Sequence, residues 1–223
     1  MKLEEIVPWG RCFEEYRAMF ALNKGDLGKR ILGAGDGPAS FNAELSARGG
    51  SVVSVDPLYR FSREEIACRI TDAAHRVLDQ VRRSEADFVW KRIPDVQSLE
   101  SLRMAAMGRF LEDYESGRAA GRYLDASLPV LPFEEQSFDL ALCSHLLFLY
   151  SEQLDEAAHL RALRELCRVA DEVRIYPLLT LAGEPSPHLT PLMEILAREG
   201  RRVRLQEVDY EFQRGATRML VIG

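Results

Sequence analysis

The segment from residue 30 to 56 constrains this chain most. A short apolar stretch, Arg30-Ile31-Leu32-Gly33-Ala34, runs into a glycine turn, Gly35-Asp36-Gly37-Pro38. An amphipathic stretch over 39–48 follows and is stopped by Gly49-Gly50. A β-branched stretch, Ser51-Val52-Val53-Ser54-Val55, then closes on Asp56. A strand, a helix and a second strand in this order form a right-handed crossover, so the two strands lie parallel. Parallel strands are covered on both faces, which commits the chain to a layered α/β architecture. With 223 residues, 47% of them hydrophobic, it is long enough for one sizeable domain spanning 1–223.

The pattern recurs downstream. Residues 122–126 read as a strand, and Phe138–Ser144 as a continuous apolar, central one. Leu154, Ala157, Leu160, Leu163, Leu166 and Cys167 mark a helix, 172–179 a strand, and 191–199 a helix stopped by Gly200. Residues 203–210 and 217–222 read as an antiparallel hairpin around Arg214-Gly215. Ahead of the first strand, Arg11, Phe13, Tyr16, Met19 and Phe20 suggest an amphipathic helix over 10–23. Between the second and third strands the rhythm breaks. From 60 to 120, Ile66, Ile70, Ala73, Val77 and Val81 repeat at helical spacing. After Pro94 so do Leu99, Leu102, Ala106, Phe110 and Tyr114. This helical insert is expected to pack over the carboxyl edge of the sheet and to contribute acceptor contacts. Its 12 basic and 11 acidic residues between Arg60 and Arg122 nearly cancel, so the acidity of the chain lies elsewhere.

The net charge of −6 argues against a nucleic-acid protein, although a local basic face remains compatible with it. Cys12, Cys68, Cys143 and Cys167 are far apart and form no CxxC pair, so no metal site is expected. Met1-Lys2-Leu3-Glu4-Glu5-Ile6 is too charged for a signal peptide, and the apolar run around 138–150 is broken by Asp139, Ser144 and His145. The expectation is a cytoplasmic protein without a membrane span. The oligomeric state stays open.

Two segments carry candidate chemistry. Asp56 follows Gly35 by 21 residues at a strand end, where an acid can accept both hydroxyls of a ribose. The glycine turn lets backbone approach a ligand closely. The second segment runs Tyr123-Leu124-Asp125-Ala126-Ser127-Leu128-Pro129, then Leu131-Pro132-Phe133 and Ser137-Phe138-Asp139. Together the two resemble the motifs of the class I S-adenosylmethionine-dependent methyltransferases. The resemblance covers about residues 28–223, with the insert unaccounted for. It implies a Rossmann-like methyltransferase fold, with a mostly parallel seven-stranded sheet and an antiparallel last strand. It also implies S-adenosyl-L-methionine as cofactor and methyl transfer to a small-molecule acceptor. Gly33, Ala34, Gly35, Asp36, Asp56, Pro57, Asp125, Ala126 and Ser144 would hold the cofactor, with Asp125 taking the adenine amino group. Two positions depart from the family: Gly33 stands where an acid is usual, with Asp36 the nearest acid to it, and Ala39 stands in place of a common last glycine.

Three readings of His145 stand side by side: a general base near the acceptor, a hydrogen-bond partner of the cofactor's amino acid end, and a hydrogen-bonded packing residue. Arg11, Tyr16 and Trp90 are the candidate acceptor contacts, against the alternative that they are core aromatics and a snorkelling charge. Two other functions compete, a non-catalytic cofactor-binding or interaction module and an NAD(P)-dependent oxidoreductase. The oxidoreductase is disfavoured by Pro38, which stands at the third glycine of GxGxxG.

Overall fold

The computed structural model describes residues 7–223; the signal-peptide expectation for Met1–Ile6 lies outside them. Seven strands form one sheet: β1 (Arg30–Ala34), β2 (Ser51–Val55), β3 (Tyr123–Leu124), β4 (Phe138–Ser144), β5 (Ala170–Tyr176), β6 (Val203–Glu207) and β7 (Arg218–Ile222). Their spatial order is β3-β2-β1-β4-β5-β7-β6. β1 to β5 are mutually parallel, and β7 runs antiparallel between β5 and β6. This is the sheet expected from the methyltransferase resemblance. An all-parallel six-stranded sheet, which would have favoured the nicotinamide alternative, is not formed.

Alternation along the strands distributes the core. Leu140 and Leu142 of β4 face a cluster with α1 (Phe13–Met19) and α2 (Phe41–Ala47). Ala141 and Cys143 face the opposite cluster, built with α5 (Glu156–Val169) and α6 (Leu189–Arg198). Successive side chains of a strand point to opposite faces, so a continuous apolar run fills both layers at once. At roughly 25 cal/mol per Å² of buried apolar area, these two layers supply the main stabilisation of the domain.

The insert forms α3 (Arg63–Arg83) and α4 (Val96–Ala119). Ser62 and Glu65 close a reciprocal cap at the start of α3, with bonds of 2.8 and 3.2 Å between the side chains and backbone amides. Asp95 caps α4 by accepting from the Ser98 amide at 2.7 Å. Ile66 and Ile70 of α3 and Phe110 and Tyr114 of α4 pack with Tyr59 and Tyr123 at the β2–β3 edge, while Val77, Val81 and Leu99 pack with Phe88 and Ile93. A buried charged contact helps fasten the insert to the rest, beside the more exposed pairs Arg109–Glu44 and Arg92–Asp209. Arg103 of α4 is fully buried and donates to Glu15 of α1, its Nη2 lying 2.8 Å from Oε1. The Tyr210 hydroxyl donates to the same Glu15 carboxylate at 2.6 Å, so α1, α4 and the β6–β7 connection meet there. These bonds and the Arg103 charge hold the Glu15 carboxyl down at about 2 despite the burial that pushes it up.

Several boundaries differ from expectation. The N-terminal helix covers Phe13–Met19 rather than 10–23. The third strand shrinks from 122–126 to Tyr123–Leu124, because β3 is an edge strand paired only with β2. β5 leaves the sheet at Tyr176, where Pro177 has no amide hydrogen to donate, and does not reach Leu179. β6 and β7 are antiparallel neighbours as expected but are not joined by a tight turn. Residues 208–217 form a longer loop whose Phe212 carbonyl accepts from the Val89 amide at 2.8 Å. That contact ties the loop to the insert, a pairing between distant segments that local turn chemistry does not encode.

Candidate functional site

Parallel strands deliver their carboxyl ends to one edge, and there the chain leaves a cavity of about 560 Å³. Ligand pockets typically measure about 300–1,000 Å³. Its floor is the turn after β1. Gly35 takes φ +70 and its amide donates to the Val55 carbonyl at 2.9 Å. A side chain at 35 would run into Leu146, 2.5 Å from where its Cβ would stand. The turn is then pinned to the end of β2. The Gly37 amide donates to Asp56 Oδ2 at 2.9 Å, the Leu58 amide donates to Asp56 Oδ1 at 2.8 Å, and the Tyr59 hydroxyl donates to the Gly37 carbonyl at 2.7 Å. A carboxylate has about four lone-pair sites. Two on Asp56 are occupied by these amides, and Asp56 lines the cavity with the rest. Burial pushes its carboxyl up, against the Leu58 and Gly37 amides.

Asp36 resolves the question raised by Gly33. Its carboxylate folds back beneath the turn, accepting from the Tyr16 hydroxyl at 2.8 Å and from Ser54 Oγ at 2.6 Å. The register that sets Gly33 beside Ser54 places it there. A Cβ on Gly33 would lie only 1.8 Å from Asp36 Oδ2. The Asp36 carboxylate therefore occupies the space that a side chain at position 33 would take, and the glycine is what makes room for it. Burial pushes the Asp36 carboxyl up to about 6, despite the hydrogen bonds from Ser54 and Tyr16.

The opposite wall is the segment after β4. His145 takes φ +54, its amide donates to the Tyr176 carbonyl at 2.7 Å, and its ring packs edge-on against Tyr176. Its Nδ1 lies 2.9 Å from Ser144 Oγ. Burial lowers the imidazole pKa well below the usual histidine value, and the nearby charges of Arg11 and Arg103 lower it further. The ring is thus neutral at physiological pH. Val7, Pro8, Trp9 and Arg11 cross above it, and the Val7 amide reaches the Tyr150 hydroxyl at 3.4 Å. Arg11 donates from Nη1 to the Trp9 carbonyl at 3.1 Å, while its Nε is buried without a hydrogen-bond partner among the described residues.

Of the residues singled out from sequence, Gly35, Asp36, Asp56, Pro57, Ala126, Ser144, His145, Arg11 and Tyr16 line this one cavity. Four do not. Ala34 is buried in the sheet, and Gly33 lies behind the Asp36 carboxylate. Asp125 is exposed beyond β3, outside the lining formed by Ala126, Ser127, Leu128 and Pro129. Trp90 is placed away from the cavity: its ring meets Phe88 and Phe212, and its Nε1 donates to the Glu85 carbonyl at 2.9 Å. The insert does reach the cavity, through Arg69, Asp72, Arg76 and Val77 of α3 rather than through Trp90. Sequence reading passed over Arg60, Arg69, Arg76, Arg161 and Tyr150. A signal for part of this set existed, since Arg69, Asp72 and Arg76 stand at i, i+3 and i+7, one stripe of a helix.

No family model matches the chain. A protein of Methanocaldococcus jannaschii, "Uncharacterized protein MJ0045", is 31% identical over 227 residues, covering 100% of this chain and 98% of the relative. Among solved structures, the PH0226 protein of Pyrococcus horikoshii OT3 superposes with a TM-score of 0.50 at 12% identity, covering 95% of this chain and 88% of that one. A SAM dependent methyltransferase from Aquifex aeolicus gives a TM-score of 0.44 at 17% identity, covering 93% and 90%. At such identities these structural likenesses concern the fold alone.

Proposed function

This chain belongs to the family of the Methanocaldococcus jannaschii protein MJ0045 and has the methyltransferase type of Rossmann-like sheet, and on that premise we propose that it is an S-adenosylmethionine-dependent methyltransferase acting on a small-molecule acceptor. The observation that carries the reading is Asp56. It is a carboxylate at the end of β2, fixed by two backbone amides and facing a cavity of cofactor size.

The lining fits such a cofactor part by part. Asp56 has acceptor capacity left for the ribose hydroxyls. Ala126, Leu128, Leu154 and Ala162 offer an apolar wall for a purine, and Asp36 and Ser144 lie towards β1 and β4 for an amino acid end. When bound, S-adenosylmethionine supplies a sulfonium methyl: the acceptor lone pair forms the new bond to carbon, the carbon–sulfur bond breaks, and its electron pair stays on sulfur as a thioether. The residues' contribution is alignment of the two reactants, exclusion of water and proton removal. His145 suits the last task. In the tautomer whose Nδ1–H donates to Ser144 Oγ, 2.9 Å away, the Nε2 lone pair of a neutral ring is left to take the acceptor's proton. Among the described residues no helix is long and apolar enough to cross a membrane.

Calorimetric titration with S-adenosylhomocysteine and with NAD tests the proposal. S-adenosylhomocysteine is expected to bind and NAD not to. Losing charge-assisted hydrogen bonds worth about 1.5–3 kcal/mol, Asp56→Ala should bind S-adenosylhomocysteine roughly 10- to 100-fold more weakly. Unchanged affinity in the folded variant would sink the site assignment.

A further inference from the structure

The cavity is more basic than the protein around it. Five arginines line it: Arg11 of the N-terminal segment, Arg60 after β2, Arg69 and Arg76 of α3, and Arg161 of α5. Three acids line it too, Asp36, Asp56 and Asp72. Two of these are held in place by neutral donors, and the lining carries five arginines against three acids. Asp36 is engaged by Tyr16 and Ser54, and Asp56 by two backbone amides. The protein as a whole carries a net charge of −6, so an excess of cations here runs against its overall balance.

None of the five makes an ion pair among the described residues, although ion pairs occur over much of the surface, as at Arg30–Asp139, Arg122–Asp113 and Arg164–Glu199. Even Asp72, three residues after Arg69 and four before Arg76 on the same helix, pairs with neither. Arg60 and Arg69 stand over one aromatic ring, their guanidinium carbons 4.8 and 3.8 Å from the centre of Phe61. A ring face holds a guanidinium in place and leaves its N–H edge free for an incoming acceptor. Arg11 has its Nε buried and without a hydrogen-bond partner among the described residues, and its charge is felt by the His145 ring. Arg60, Arg69, Arg76 and Arg161 are exposed, so water solvates their donors, but like charges gathered on one cavity wall repel and attract an anion. The buried donor of Arg11 is the one left costly unless a ligand completes it. Guanidinium groups are suited to carboxylates and phosphates, which they hold by paired N–H donors.

We propose that the methyl acceptor is a small molecule bearing a carboxylate or phosphate group, held by Arg69 and Arg76 at the insert side of the cavity, with Arg60 and Arg11 completing the anion site. The inference rests on the methyl-transfer reading and deepens it. The insert then acts as the selectivity element of the fold, because α3 adds Arg69 and Arg76 to the carboxyl edge.

The test uses the full chain saturated with S-adenosylhomocysteine, titrated in turn with inorganic phosphate, citrate and uncharged glycerol. Two variants of equal charge change are compared, Arg69→Gln/Arg76→Gln in the cavity and Arg83→Gln/Arg118→Gln, which are exposed outside it. The expected result is binding of at least one anion and no binding of glycerol. The cavity variant should bind that anion roughly tenfold or more weakly. The outer variant should stay within about twofold, and S-adenosylhomocysteine affinity should be retained in both. Preference between phosphate and citrate identifies which anion the site takes. Equal weakening in both variants, or no anion binding by the saturated wild type, overturns the anionic acceptor while leaving methyl transfer standing. If S-adenosylhomocysteine itself does not bind, the methyl-transfer reading falls and the acceptor assignment with it.

Discussion

Replacing Gly33 by alanine adds one methyl group, and the surroundings of that methyl make the consequence calculable. The new Cβ would stand 1.8 Å from Asp36 Oδ2 and 2.4 Å from its Cγ. Ordinary contact needs about 3.5 Å, so the carboxylate must withdraw by roughly 1.5 Å. It cannot do so and keep the 2.8 Å bond from Tyr16 and the 2.6 Å bond from Ser54. Hydrogen bonds to a charged group contribute about 1.5–3 kcal/mol each, so Gly33→Ala should destabilise the fold by roughly 3 kcal/mol or more. Asp36→Ala alone should also cost about 2 kcal/mol or more, because it leaves two buried hydroxyls without an acceptor. In the Asp36→Ala background, however, the space beside residue 33 is empty, and adding Gly33→Ala should cost less than about 1 kcal/mol. Urea unfolding of the four proteins at pH 8, where the Asp36 carboxyl is ionised, reads the cycle directly. Additive costs, with Gly33→Ala equally damaging in both backgrounds, would refute the claim that the two residues exchange one volume. The same logic predicts that Gly33→Asp/Asp36→Ala recovers more S-adenosylhomocysteine affinity than either single change, since it returns an acid to the space the pair shares.

Other outcomes follow from the same geometry. Glu15 has its folded-state pKa lowered from 4.5 to about 2, so its contribution to stability is present above pH 4.5 and is lost as the pH falls towards 2. Glu15→Gln should flatten that acid limb in a series of thermal melts, and an unchanged limb would show that the Arg103 contact does not couple to folding. Asp125→Ala should keep S-adenosylhomocysteine affinity within about twofold, in contrast to Asp56→Ala, because Asp125 is exposed and outside the lining. A calorimetric loss as large as that of Asp56→Ala would return Asp125 to the site. His145→Ala should leave S-adenosylhomocysteine binding nearly intact and lower methyl transfer by about 10²-fold or more once an acceptor is in hand. A large loss of cofactor affinity with unimpaired turnover would instead assign the ring to the cofactor.

The bounds of β1, β2 and β4 were legible to the residue, because each is an unbroken apolar or β-branched run cut off by glycine, an acid or a serine–histidine pair. The antiparallel last strand was likewise legible, and so was the helical nature of the insert, since α3 keeps its apolar residues on one stripe over its whole length. These features are written in periods of two and 3.6, which depend on near neighbours alone. The position of Asp56 belongs with them, as the first residue after a strand whose direction the crossover dictates.

The rest depended on which distant segments meet. That Asp36 occupies the space beside Gly33 follows from a turn folding under its own strand, where Tyr16 and Ser54 receive it. Trp90 and the arginines of α3 could not be sorted by spacing, because rotation of the insert about its own axis decides which side chains face the sheet edge. That rotation is fixed by the packing of Tyr59 and Tyr123 and by Arg103 reaching Glu15, 88 residues away. Side chains that look equivalent along the chain thus become a cavity wall or a solvent face only when the tertiary contacts choose between them.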